Sequence, residues 1–147
     1  MMDISTALIR ELSLNFKVQF GKSPALLVFA PGRINLIGEH IDYNDGFVCP
    51  AAIDKYVGFA LGPSSTEKSI VLAQDLDEEF HFNAQEDFKA DQPHWTNYIK
   101  GVLHQFSGME IPPFQLVFRS SIPIGAGLSS SAALSCGFAY ALNEWTK

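Results

Sequence analysis

The sequence predicts an α+β domain, and two observations carry that prediction. Runs of strand length are grouped early in the chain, whereas an alternating α/β protein would follow each with a helix. Helical spacing is confined to three stretches, near the start, the middle and the end. With 147 residues there is room for one domain with a real core.

Taken in order, Leu8, Leu12, Phe16 and Phe20 recur every four residues and predict a first helix, with Ser5 as candidate cap and Gly21 beyond the last turn. Residues 26–30 form a short apolar strand ending at Pro31, followed by a polar stretch. Residues 47–53 read as buried. Residues 56–61 and 69–73 read as strands separated by the Gly62-Pro63-Ser64-Ser65 turn. Residues 79–82 add a further short strand, with Asp75, Asp77 and Glu78 in a solvated turn before it. From Trp95, the residues Tyr98, Ile99, Val102, Leu103 and Phe106 keep helical spacing until Ser107-Gly108 stops them. Residues 114–118 read as a strand, and residues 129–142 as an apolar, buried helix. No internal repeat, low-complexity tract or linker interrupts this order.

Composition sets modest bounds. Ten basic against sixteen acidic residues give a net charge of −6, and no basic cluster occurs, so neither a nucleic-acid nor an anionic-membrane partner is expected. Two cysteines, Cys49 and Cys136, make no disulfide framework and both lie in apolar sequence. The N-terminus lacks the basic region and apolar run of a secretory signal. No stretch reaches the ~18 apolar residues of a membrane span. These features lead to the expectation of a reduced, cytoplasmic protein.

The stretch between the last strand and the last helix carries chemistry. Gly125 and Gly127 let the backbone turn sharply and approach a ligand, because neither has a Cβ. Ser129, Ser130 and Ser131 then fall where a helix opens, with free N–H groups and the positive end of the dipole. Such an arrangement binds phosphate. A bland alternative is a glycine turn with a serine cap. The familiar phosphate loops fit poorly. A Walker loop ends in Gly-Lys-Ser/Thr, and this one has no lysine. A dinucleotide fingerprint has a third glycine where this chain has Ser130. Gly137, inside the helix, costs about 1 kcal/mol against alanine, so its use is close packing on a sheet.

A second stretch, residues 30–46, is glycine-punctuated yet dense in Arg33, Asn35, Glu39, His40 and Asp42. Ile34, Leu36 and Ile37 interleave core-forming side chains with these polar ones, which argues that the polar groups are held in place. Two carboxylates and an imidazole within four residues suit the hydroxyls of a sugar, since carboxylates accept and a ring nitrogen donates. A metal site is the rival reading, because Glu, His and Asp are all ligands. No His-Glu-x-x-His spacing supports it, and His81, His94 and His104 stand alone.

Together these stretches resemble a known family. Pro31-Gly-Arg-Ile-Asn-Leu-Ile-Gly-Glu-His-Ile-Asp-Tyr-Asn44 is similar to the signature of galactokinases. Pro123-Ile-Gly-Ala-Gly-Leu-Ser-Ser-Ser-Ala-Ala133 resembles the phosphate loop of the wider GHMP superfamily of galactokinase, homoserine, mevalonate and phosphomevalonate kinases. Trp95-Thr-Asn-Tyr-Ile-Lys-Gly-Val102 resembles a third stretch of the same enzymes. The resemblance implies the N-terminal domain of these kinases, a fold like domain 2 of ribosomal protein S5 with helices packed on a mixed sheet. On it, the galactokinase signature spans about residues 26–54 and the ATP and phosphate-loop region about residues 94–147.

The resemblance also assigns roles. It makes Glu39, His40, Ile41 and Asp42 sugar-binding residues and Arg33 a stabiliser beside the reacting hydroxyl. Gly125, Ala126, Gly127, Leu128, Ser129, Ser130 and Ser131 would cradle the phosphates of ATP, with the Ser131 hydroxyl on Mg²⁺. Trp95 and Tyr98 would lie near adenine, against a bland reading as core aromatics on a helix stripe. The implied reaction is transfer of the γ-phosphoryl group of ATP to the anomeric hydroxyl of galactose. Ile41 stands where galactokinases more often have Thr and N-acetylgalactosamine kinases have Ile, which keeps such a kinase as an alternative. A non-catalytic sugar and ATP sensor is the alternative from another class. The complete Ser129-Ser-Ser-Ala-Ala133 run favours the enzyme. The family's catalytic aspartate, Mg²⁺-binding glutamate and C-terminal domain follow the phosphate loop, so they are expected outside residues 1–147.

Overall fold

The computed structural model describes residues 4–38, 44–83, 86, 88–90, 94–123 and 125–147. Eight elements follow in order: α1 (Ile4–Phe20), β1 (Leu26–Ile37), β2 (Cys49–Pro63), β3 (Ser69–Ala73), β4 (Glu78–Phe82), α2 (Thr96–Gln105), β5 (Phe114–Ser120) and α3 (Ser130–Trp145). The strands make one sheet in the order β1-β2-β5-β3-β4. Its neighbours are antiparallel except β3 and β5, which are parallel. The α+β class and the mixed sheet expected above are what the chain forms. Among the described residues, no helix is long and apolar enough to cross a membrane.

Strand alternation divides the core in two. Phe59 and Leu61 of β2, with Phe114, Leu116 and Phe118 of β5, join Ile99 of α2 and Phe138 and Leu142 of α3 in one cluster. Ala60 and Val117, between them, face Leu8, Leu12 and Phe16 of α1 in a second cluster. Both faces of β2 and β5 are therefore covered, which is why these strands read as unbroken apolar runs. The predicted α1 stripe is the buried one. The helix ends as Gly21, at φ 71°, donates its N–H to the Lys17 carbonyl at 2.9 Å. Ser5 lies inside α1 rather than capping it.

Four further expectations need correction. Strand β1 does not stop at Pro31 but continues to Ile37. It is an edge strand, where sheets tolerate proline. Residues 47–53 are not buried: Phe47 is 94% exposed, and Val48, Cys49 and Pro50 are exposed too. Strand β5 reaches only as far as Val57 of β2, so the earlier part of β2 has β1 alone beside it. Helix α3 is not buried all round. Ala133, Leu134, Gly137, Phe138, Ala141 and Leu142 face the core, while Ser131, Ala132, Cys136 and Tyr140 face outward. Cys49 and Cys136, expected in apolar surroundings, are both exposed and unpaired.

Gly137 packs as anticipated. A Cβ built there would sit 2.3 Å from Phe59 Cε2 and 2.8 Å from Ala30 Cβ. Helix propensity alone says that Gly137→Ala stabilises by about 1 kcal/mol. Phe59 is fully buried and has nowhere to go, so overpacking dominates. The expected result is a net loss of about 1–3 kcal/mol in urea unfolding. A higher midpoint for Gly137→Ala would refute this packing.

Candidate active site

The glycine turn predicted to bind phosphate follows β5. Gly125, Gly127 and Ser129 have φ of 75°, 69° and 58°, so every second residue is left-handed up to the start of α3. Such alternation turns successive N–H groups toward one concavity, a nest for an anion. Only glycine adopts this conformation without steric cost, so Ser129 carries roughly 1–2 kcal/mol of backbone strain. Strain of that kind concentrates at functional sites. The Ser129 carbonyl accepts the Ala133 N–H at 3.0 Å, while its hydroxyl makes no capping bond. The simple serine-cap alternative therefore does not describe this turn. The first N–H groups of α3 keep the orientation and dipole that favour an anion.

Beside this turn lies a cleft of about 630 Å³. Ser130 and Ser131 line one part of it, and Trp95, Tyr98, Phe118 and Leu134 supply apolar wall. The two readings of Trp95 turn out to be compatible. Its ring packs edge-on against Phe118 at 5.4 Å and also lines the cleft. Its Nε1 donates to Glu78 Oε2 at 2.5 Å, and His94 Nε2 contacts the same oxygen at 2.9 Å. Anchored at both its apolar body and its polar edge, the indole is a fixed wall rather than a mobile one. Tyr98 is more open, at 45% exposed.

Glu78, expected in a solvated turn, instead opens β4, and His94, expected to stand alone, contacts it. Seventeen residues separate Glu78 from Trp95, and no periodicity links a strand's first residue to a ring near a helix start. Asp75, expected in a solvated turn, is anchored instead. It accepts from Arg119 Nε at 3.1 Å and from the Ser120 N–H at 2.7 Å.

The polar stretch meets the glycine turn through its backbone. Arg33 N–H donates to the Leu128 carbonyl at 3.2 Å. The Arg33 side chain is exposed and has no partner among the described residues. Asn35 Oδ1 is buried and unpartnered among the described residues. Glu39, His40, Ile41 and Asp42 lie outside the described residues. Gly125, Ala126 and Gly127 are exposed, with Leu128, Ser129 and Ser130 half-buried. The structure thus gathers Trp95, Tyr98, Ser130 and Ser131 around one cleft and ties Arg33's strand to Leu128. Among the described residues no group of three or more His, Cys, Asp or Glu could hold a metal ion. His81 pairs with Glu79 at 2.8 Å. A second groove of about 570 Å³, between β1 and the outer face of α3, contains none of the predicted site residues.

Known proteins resemble the chain as a whole. Residues 14–63 match the family model described as the galactokinase galactose-binding signature, and residues 97–147 match the GHMP kinases N terminal domain. A galactokinase of Thermosipho africanus is 46% identical over 80% of this chain and 32% of its own length. One from Roseiflexus is 42% identical over 88% of this chain and 34% of its own. The chain spans about a third of the length of the curated relatives it matches. Among solved structures, Lactococcus lactis galactokinase complexed with galactose superposes with a TM-score of 0.80 at 33% identity, covering 93% of this chain and 37% of that one. The mevalonate kinase of Methanococcus jannaschii, at 22% identity, shares the fold over 81% of this chain and 39% of its own with a TM-score of 0.66.

Proposed function

The chain belongs to the galactokinase family of the GHMP kinases, as the N-terminal part of its members, and from that premise we propose that it supplies the sugar and phosphate sites of an enzyme that transfers the γ-phosphoryl group of ATP to the anomeric hydroxyl of galactose. The observation carrying this reading is the junction at Leu128, where the Pro31-Gly-Arg33 strand and the phosphate loop meet. Phosphoryl transfer is largely positioning plus charge stabilisation. Donor and acceptor sites held by one frame are what that chemistry requires.

In this proposal residues 125–131 present backbone N–H groups to the phosphates, and Trp95 and Tyr98 flank the purine. Arg33 sets its guanidinium beside the transferring group. Glu39, His40 and Asp42 hold the sugar hydroxyls, with Ile41 against the ring. Residues of about 26–54 then form the sugar segment and about 94–147 the nucleotide segment. Ser131 fits Mg²⁺ as a hard, neutral oxygen on the cleft wall, since Mg²⁺ takes few protein ligands beside phosphate oxygens and water. When bound, the ion supplies charge neutralisation on the phosphates. The cytoplasm as compartment belongs to the same proposal.

Two measurements test it, both on a polypeptide extended to the relatives' full length. A coupled assay of ADP release should respond to galactose more strongly than to N-acetylgalactosamine; no response to either would reject the reading. Asp42→Ala should weaken galactose binding by about 1–3 kcal/mol, the cost of leaving a bound hydroxyl without its partner. MgATP affinity should stay the same in calorimetry. Equal losses for both ligands would mean that the change acts through folding, and an unaltered galactose affinity would remove Asp42 from the site.

A further inference from the structure

Gly32 is buried, and its surroundings are unusually exact in what they exclude. A Cβ there would lie 2.9 Å from the Leu128 carbonyl oxygen and 3.1 Å from both Ile122 Cδ1 and Ile53 Cδ1. Its φ is not left-handed, so conformational strain is not what calls for glycine. The ladder between β1 and β2 is broken at the same point. Pro31 pairs with Tyr56 and Arg33 with Ala52, so three residues of β2 stand opposite Gly32 alone. Bulges re-aim the groups beside them. Here the Arg33 N–H goes to Leu128, one residue before the left-handed Ser129 and two before α3.

We propose that Gly32 is a positioning residue for the nucleotide: its missing side chain is the seat on which the phosphate loop docks, so that the sugar-signature strand itself sets where the phosphates lie. This rests on the nucleotide reading above. It assigns Gly32 no contact with substrate, since it acts through the Leu128 backbone. A carbonyl fixed between a strand and a helix cannot rotate aside as a flexible side chain can. The two isoleucine contacts are different, because both are made by the terminal Cδ1 atom that valine lacks.

That difference separates a seat from ordinary packing. Gly32→Ala would be compared with Gly32→Ala combined with Ile53→Val and Ile122→Val, and with the two valine substitutions alone. The combined variant has room for the new methyl everywhere except at the Leu128 carbonyl. Its melting temperature is expected to fall below that of the valine control by no more than the few degrees that one hydrogen bond is worth. In the 147-residue chain, amide hydrogen exchange at Arg33 should quicken about tenfold or more with the loss of one hydrogen bond, while β5 amides keep their protection. NMR titration with MgATP, followed at the Gly125 and Gly127 amides, should give an apparent Kd raised about tenfold with galactose binding unaltered. If the combined variant instead regains the Arg33 protection of the valine control, Gly32 only makes room for packing and the seat is overturned. If the unaltered chain gives no MgATP-dependent shifts, the nucleotide reading fails for this chain, and the exchange rates alone decide whether Leu128 is seated on Gly32.

Discussion

Residues 1–147, purified as an isolated polypeptide, are expected to release no ADP above background when given MgATP and galactose. Among the described residues the cleft is lined by one carboxylate, Asp75, with Glu78 behind its Trp95 wall, and both are already engaged. Asp75 accepts from Arg119 and from the Ser120 N–H. Glu78 accepts from Trp95 and contacts His94. A carboxylate that deprotonates a sugar hydroxyl must lie within hydrogen-bond reach of it, and both of these are held against structural partners instead. On the family resemblance the base and the acidic Mg²⁺ ligand come after the phosphate loop. A general base contributes on the order of 10²–10⁴ in rate. A coupled assay on the purified chain measures the release directly. Turnover near that of a complete kinase would falsify the assignment of the base and turn attention to Asp42 and the exposed Asp45.

How far the sequence foretold this structure differs from element to element. The stripe of α1 was legible because Leu8, Leu12 and Phe16 meet one continuous surface, formed by Ala60 and Val117. The glycine turn before α3 was legible too, since alternate left-handed residues leave a composition signature at Gly125 and Gly127. Apolar content was misleading at Phe47, because it says that a side chain favours burial without saying which surface would cover it. It misled again along α3, whose outward face carries Tyr140 and Cys136.

What the sequence could not convey is pairing at a distance. Residues 33 and 128 are joined by a backbone bond that depends on no side-chain type. The grip of Glu78 on Trp95 likewise reaches from the first residue of β4 to the start of α2. The candidate site is assembled largely by such contacts. Residue types therefore announced its chemistry better than its geometry.

Arg33→Lys is the substitution for which that geometry makes the sharpest demand. In a polypeptide extended to the relatives' full length, it is expected to lower kcat by about 10²–10³-fold, the scale for removing one donor to developing charge. The KM values for galactose and MgATP should change by a few-fold at most. The Arg33 N–H is bonded to the Leu128 carbonyl, so its Cα is fixed relative to the glycine turn. Its guanidinium is exposed, without a partner among the described residues. Lysine would keep the positive charge but replace a planar fork of donors with a single ammonium on a flexible stem. If Arg33 acts only by attracting ATP, retaining the charge should retain most of the function. If it grips charge that develops on the transferring group, the fork's geometry matters in the transition state and kcat falls. Arg33→Met, which removes the charge as well, should fall further still. Loss confined to KM in both variants would place Arg33 in ground-state binding, with some other donor stabilising the transferred group.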